Sequence, residues 1–361
     1  STVLVLAGKA RENSEASSSV ISESSASSGV ISTPVPTEDG DLRAFYTDVA
    51  NAESVTVMVY MIGSDLESED GSATDDLLEM ADAALSENVH LVLQTGGTET
   101  WWNDVCTDDE SERFVIENGD MTLLQSLGSM NMTDADTLSD FIRFSAESYP
   151  ADRYELILWD HGGGTMTGFG YDELYEDTSL TLSSLSTALY NGGVQFDFIG
   201  FDACLMATAE VAYALDPYAD YLIASEESEP GEGWAYKNWL TMLAENPAVP
   251  TAELGKKLAD DFLEAYIFAD MPTLSVLDLR YVPELYAALE SYWGSAYAAL
   301  QSGSYGAFSQ VRNNVREFGD NEYDQVDLSD LATLTKQSLS PRHRGRCAGR
   351  RSEHGVYNVT L

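Results

Sequence analysis

The chain has 361 residues, 44% of them hydrophobic, enough to bury one large core or two smaller ones. Lys and Arg number 18 against 61 Asp and Glu, a formal net charge of -43, and so negative a surface repels nucleic acid and anionic lipid headgroups while accepting cationic ligands. Three widely spaced cysteines (Cys106, Cys204, Cys347) exclude a disulfide framework, no Cys/His grouping has zinc-site spacing, and no run of about 18 apolar residues is available to span a bilayer.

In chain order, Val3-Leu4-Val5-Leu6-Ala7 is followed by Lys9, Arg11 and a serine-rich tract over 14–32 that is too polar to fold. This resembles the exit of a bacterial export signal followed by a tether. Residues 1–53 are therefore expected to be the N-terminal region and linker of an exported, extracellular or cell-surface protein. Residues 54–238 form the expected catalytic-type core. The β-branched, apolar run over 55–62 predicts a strand covered on both faces, with its turn at Gly63-Ser64-Asp65. A helix over 74–86 follows, with Leu77, Leu78, Ala81, Ala84 and Leu85 on one stripe. A strand over 90–94 ends at Gly96-Gly97, and Trp101, Trp102 and the run 114–116 suggest a hairpin excursion. A helix over 136–148, a strand to Trp159, a helix over 180–190 and a strand over 196–201 come next. A helix over 207–215, a strand over 221–225 and an acidic loop over 226–234 complete this part. The alternation predicts an α/β fold with a mainly parallel sheet between helices, joined by right-handed crossovers. Residues 239–335 read as mostly helical and packed on the core, with one added strand within 271–278. Residues 336–361 are an anomalous basic tail (Arg342, Arg344, Arg346, Arg350, Arg351) that reads as a local shift of reading frame or the trace of a gene fragment.

Two strands end in reactive residues. One leads into Asp160-His161-Gly162-Gly163-Gly164, the other into Asp202-Ala203-Cys204. The carboxyl edge of an open α/β sheet is where such folds hold ligands, and a thiol and an imidazole there are the materials of nucleophilic catalysis. A free cysteine, with pKa ~8.5, is mostly protonated at neutral pH. Cys204 is placed at the start of a helix, whose dipole and N–H groups favour a thiolate and receive an oxyanion. Gly162 and Gly163 let another backbone N–H approach, and His161 exchanges protons near neutral pH. Taken singly, Cys204 reads as a small buried apolar side chain and His161 as a satisfied loop histidine. Their joint placement at sheet exits favours the catalytic pair. Asp202, two residues before Cys204 on the same strand face, either recognises a Lys or Arg side chain of a substrate or caps the following helix.

Four segments in order resemble the clostripain family of cysteine peptidases, kin to caspases, legumains and gingipains. They are Tyr60-Met61-Ile62-Gly63-Ser64-Asp65-Leu66-Glu67, the glycine-rich His161 segment with Leu158-Trp159, Phe201-Asp202-Ala203-Cys204-Leu205-Met206, and Ala224-Ser225-Glu226-Glu227 with Pro230-Gly231-Glu232-Gly233-Trp234. The likeness runs from about 55 to about 334. It implies a caspase-like α/β/α sandwich with a helical C-terminal extension, a His161–Cys204 dyad, and an oxyanion hole of the Gly162 and Cys204 N–H groups. It further implies cleavage of protein or peptide substrates after Arg or Lys through a thioester, with Asp202 in the S1 pocket and Glu232 as a second candidate there. No cofactor is required. Some members use calcium, for which Asp65, Glu67, Glu69, Asp70, Asp75 and Asp76 are the acidic stretch to consider, although Gly71 falls one place late for an EF-hand register. Such enzymes often mature by self-cleavage at a basic residue between the His and Cys motifs. Here no Lys or Arg lies between Arg153 and Lys237, so a single working chain, or processing elsewhere, for example near Lys9 or Arg11, is expected. The alternatives are a non-catalytic surface binding protein on the same fold and a cysteine transpeptidase.

Overall fold

The strand Val55–Ile62 is apolar at every position because both of its faces are covered. Val55, Val57, Val59 and Met61 enter one apolar layer, and Met58, Tyr60 and Ile62 enter the other. The computed structural model describes residues 5–7, 42–175, 178–266, 272–319 and 323–339. The serine-rich tract, Cys347 and residues 340–361 of the basic tail lie outside them, while residues 336–339, expected to open that tail, are the last turn of the helix Leu328–Leu339.

The strands are β1 (Val5–Ala7), β2 (Val55–Ile62), β3 (Val89–Gly96), β4 (Ser111–Glu117), β5 (Asp120–Gly128), β6 (Arg153–Trp159), β7 (Phe196–Asp202), β8 (Ala219–Ala224), β9 (Ser275–Asp278), β10 (Glu317–Phe318) and β11 (Gln325–Asp327). Eight of them form one sheet in the order β5-β4-β3-β2-β6-β7-β8-β9. The five central strands are mutually parallel, and β4, β5 and β9 are antiparallel at the edges. The expected hairpin after Trp102 is β4–β5, closed at Asn118-Gly119 with φ of 53° and 85°. Helices Ala135–Ser148, Leu182–Gly192 and Ala209–Leu215 cover one face, and Ser72–Ala81, Tyr236–Glu245 and Thr251–Ala265 cover the other. This is the α/β/α sandwich. A smaller sheet, β1-β11-β10, and helices Val282–Gln301, Tyr305–Arg312 and Leu328–Leu339 stand beside it, with a small apolar cluster around Leu289, Val311 and Leu331.

The chain leaves β2 toward β3 on one side and returns to β6 on the other. The gap between the β2 and β6 exits is thus a switch point, where open parallel sheets form a crevice. Two local expectations are corrected. The 63–65 turn opens directly into a short helix, Ser64–Ser68, and the next helix starts at Ser72, because Glu67 folds back to accept the Thr74 N–H and hydroxyl. The helix after Cys204 starts at Ala209, with Thr208 as its cap. Leu205 at φ 67° turns the chain first, and the Leu205 and Ala207 N–H groups bond to the Glu227 and Ser225 carbonyls.

Candidate active site

β2, β6 and β7 are neighbours, so their exits deliver Asp65, His161 and Cys204 in that order along one sheet edge. Register puts Trp159 beside Asp202, and the Asp160 N–H bonds to the Asp202 carbonyl. His161 and Cys204 line the same cavity, about 380 Å³, with Gly162, Tyr171, Ser228 and Tyr323 among its walls. Gly162 is required sterically, since a Cβ there would lie 2.1 Å from the Cys204 carbonyl oxygen. A larger cavity of about 550 Å³ lies elsewhere, lined by Arg113, Asp140 and Arg143, whose charges pair with one another.

The Cys204 thiol has no helix start behind it. Its sulfur accepts the Glu229 N–H at 3.2 Å and faces the Glu229 carbonyl at 3.8 Å. Burial pushes its pKa up, and the Glu229 N–H opposes that rise. His161 is less enclosed. Its side chain is 43% exposed, and its Nε2 lies 2.7 Å from Asp65 Oδ1. Asp160, behind it, is buried and accepts from the Ser64 hydroxyl and the Tyr171 N–H.

Asp202 does not cap the following helix. Its carboxylate is buried and accepts the Trp234 N–H at 3.0 Å and the Tyr236 hydroxyl at 2.8 Å. Asp76 approaches from helix Ser72–Ala81, held by Trp159 Nε1 at 2.6 Å. The close pass of Gly233 shows how near the two acids are, for a Cβ on it would lie 2.9 Å from both Asp202 Oδ1 and Asp76 Oδ2. Glu229 completes the group, with both carboxylate oxygens sealed from solvent and the Asp202 charge acting on it. Burial, then mutual repulsion, raises Asp76 and Glu229 well above the carboxylate range, and burial raises Asp202 to about 6. Glu232 stands on the exposed part of the same loop, so the loop acid set beside Asp202 is Glu229. Neither Asp76 nor Glu229 was separable in the sequence from the other acids around it. The only available signal was their position in segments flanking the sheet edge.

The acids considered for calcium do not converge. Asp65 meets His161, Glu67 is taken up by Thr74 and the Trp102 N–H, and Asp76 holds Trp159. Among the described residues no cluster of His, Cys, Asp and Glu fits a metal ion, and no helix is long and apolar enough to cross a membrane.

Clostripain from Hathewaya histolytica is 35% identical to this chain over 123 residues, which is 29% of this chain but only 23% of that protein. Two solved structures share the fold at 23% identity. A secreted C11 cysteine protease from Bacteroides thetaiotaomicron, bound to an irreversible peptide inhibitor, has a TM-score of 0.54 over 65% of this chain and 68% of that one. An inactive zymogen C11 protease from Parabacteroides distasonis has a TM-score of 0.57 over 79% and 80%. The model of the Clostripain family matches residues 59–345, and with the sandwich and its loaded sheet edge in place, this chain belongs to the clostripain family.

Proposed function

We propose that this protein is an exported cysteine endopeptidase that cuts after Arg or Lys. The observation that carries the reading is that Cys204 and His161, from adjacent strand exits, open onto one cavity. In the reaction His161 takes the thiol proton and the sulfur attacks the scissile carbonyl carbon, whose π electrons move to oxygen. The N–H groups of Gly162 and Cys204 receive that oxyanion. As the C–N bond breaks, His161 returns the proton to the leaving amine and a thioester remains. Water then adds to the thioester carbon with His161 as base, and the thiol and a free carboxylic acid are released.

The preference for a basic side chain is supported by the crowding of Asp202, Asp76 and Glu229. A cation among them relieves both desolvation and mutual repulsion. Neither Asp202 nor Glu229 lines the cavity that holds His161 and Cys204, and the carboxylates of both are buried beside it, so the loop shifts to admit the substrate side chain, and Glu232 serves as a rim charge. Export is supported by the N-terminal composition and by the secreted relative of the same fold. Work as a single chain is supported by the absence of Lys and Arg between Arg153 and Lys237.

Hydrolysis of fluorogenic peptides ending in Arg, Lys or an uncharged isostere tests this. Cys204→Ala is expected to lower kcat at least ~10³-fold. Asp202→Asn is expected to reduce the preference for basic over neutral residues by about 10- to 100-fold, the worth of a charge-assisted hydrogen bond. Full activity in Cys204→Ala, or an undiminished preference in Asp202→Asn, refutes the corresponding assignment.

A further inference from the structure

We propose that Asp65 is a positioning residue for His161, selecting which ring nitrogen faces the thiol. This rests on the assignment of His161 and Cys204 above. Asp65 Oδ1 lies 2.7 Å from His161 Nε2. An ionised carboxylate only accepts, so Nε2 carries the hydrogen in this contact. A neutral ring then has its lone pair on Nδ1, and Nδ1 is the atom that takes the thiol proton and passes it to the leaving amine.

Asp65 is itself held in place. Ser64, at φ 49°, sits just before it, with its N–H on the Gly97 carbonyl. The Ser64 hydroxyl donates to Asp160 Oδ1 at 2.7 Å, and Asp160 is the residue before His161. The β2 and β6 exits are therefore tied twice, once through Ser64 and Asp160 in the buried layer and once through Asp65 and His161 at the surface. The first tie fixes the backbone that aims the second. Asp65 and His161 are 45% and 43% exposed. A polar contact so open to solvent adds little to stability, so its consequence falls on ring orientation. Glu67, two residues on, is fully occupied by Thr74 and the Trp102 N–H and does not substitute.

The test compares full-length wild type, Asp65→Ala and Cys204→Ala. Asp65→Ala is expected to lower kcat about 10- to 100-fold, within the range of general acid–base effects, with KM and melting temperature unchanged. Histidine side-chain 15N NMR of the free protein, assigned with His161→Gln, is expected to show neutral His161 as the Nε2–H tautomer, and Asp65→Ala is expected to lose that fixed state. An unchanged kcat in Asp65→Ala beside an inactive Cys204→Ala overturns the role of Asp65 and leaves the peptidase reading standing. Retained activity in Cys204→Ala defeats the peptidase reading instead. A His161 ring protonated on Nδ1 in the neutral form overturns the Asp65 proposal whether or not any peptide is cut, and this measurement on wild type does not depend on how the variant folds.

Discussion

Asp160 carries its cost in one carboxyl group. It is 2% exposed, and burial lifts its pKa to about 7 even though the neighbouring His161 and the Tyr171 and Ser64 hydrogen bonds pull the other way. In the unfolded chain the same group titrates near ~3.9. The folded state therefore binds this proton more tightly. The group's contribution to stability is complete below pH ~4 and is lost as the pH rises through about 7, at up to ~1.4 kcal/mol per pH unit. Asp160→Asn removes the titration while keeping an oxygen for the Tyr171 N–H and an amide for the Ser64 hydroxyl. The variant is expected to show a flatter urea midpoint between pH 4.5 and 8 than wild type, and parallel curves would exclude Asp160 as the source. His161 and Cys204 were legible from sequence because each follows an apolar run and stands in a distinctive turn. Asp65 was legible only as one acid in a run of acids, because its contact depends on β2 and β6 being neighbours across about ninety residues of intervening chain.

Strands were the most readable elements. The central ones are apolar on both faces, which no surface helix is, and Asn118-Gly119 marks the β4–β5 turn by the residues that tolerate positive φ. Helix starts were less readable, since they depend on distant partners. Glu67 draws one helix start back to Ser72, and the 225–227 carbonyls delay the helix after Cys204 to Ala209. That delay changes the chemistry. The support expected from a helix dipole passes to the Glu229 N–H, so one loop touches both the sulfur and the acid group. The loop's pH response follows from Asp202, whose carboxyl, raised to about 6, is neutral below that pH and forms an ion pair only above it. Tyr236, Trp234, Glu229, Asp76 and the more distant Glu79 surround it. The kcat/KM ratio for basic over neutral P1 residues is expected to climb as the pH passes through about 6 in wild type and to stay level in Asp202→Asn. A level ratio in wild type would remove the ionised form of Asp202 from recognition.

Across the whole molecule the formal net charge of -43 acts on any peptide that approaches. A field of this kind raises the encounter rate of cationic substrates, and salt screens it with a Debye length of ~10 Å at 0.1 M. The Asp202 group behaves differently, because a buried contact is screened much less than a surface one. The two scales are therefore separable in one titration. For an Arg- or Lys-ended peptide, kcat/KM is expected to fall several-fold between low salt and 0.5 M NaCl, roughly the loss of long-range steering, while an uncharged peptide changes little. Asp202→Asn is expected to lower that line without altering its slope, because the variant removes one sealed carboxylate and leaves the surface field almost whole. A slope that disappears with Asp202 would locate the salt effect in the pocket and leave the acidic exterior without a part in substrate capture.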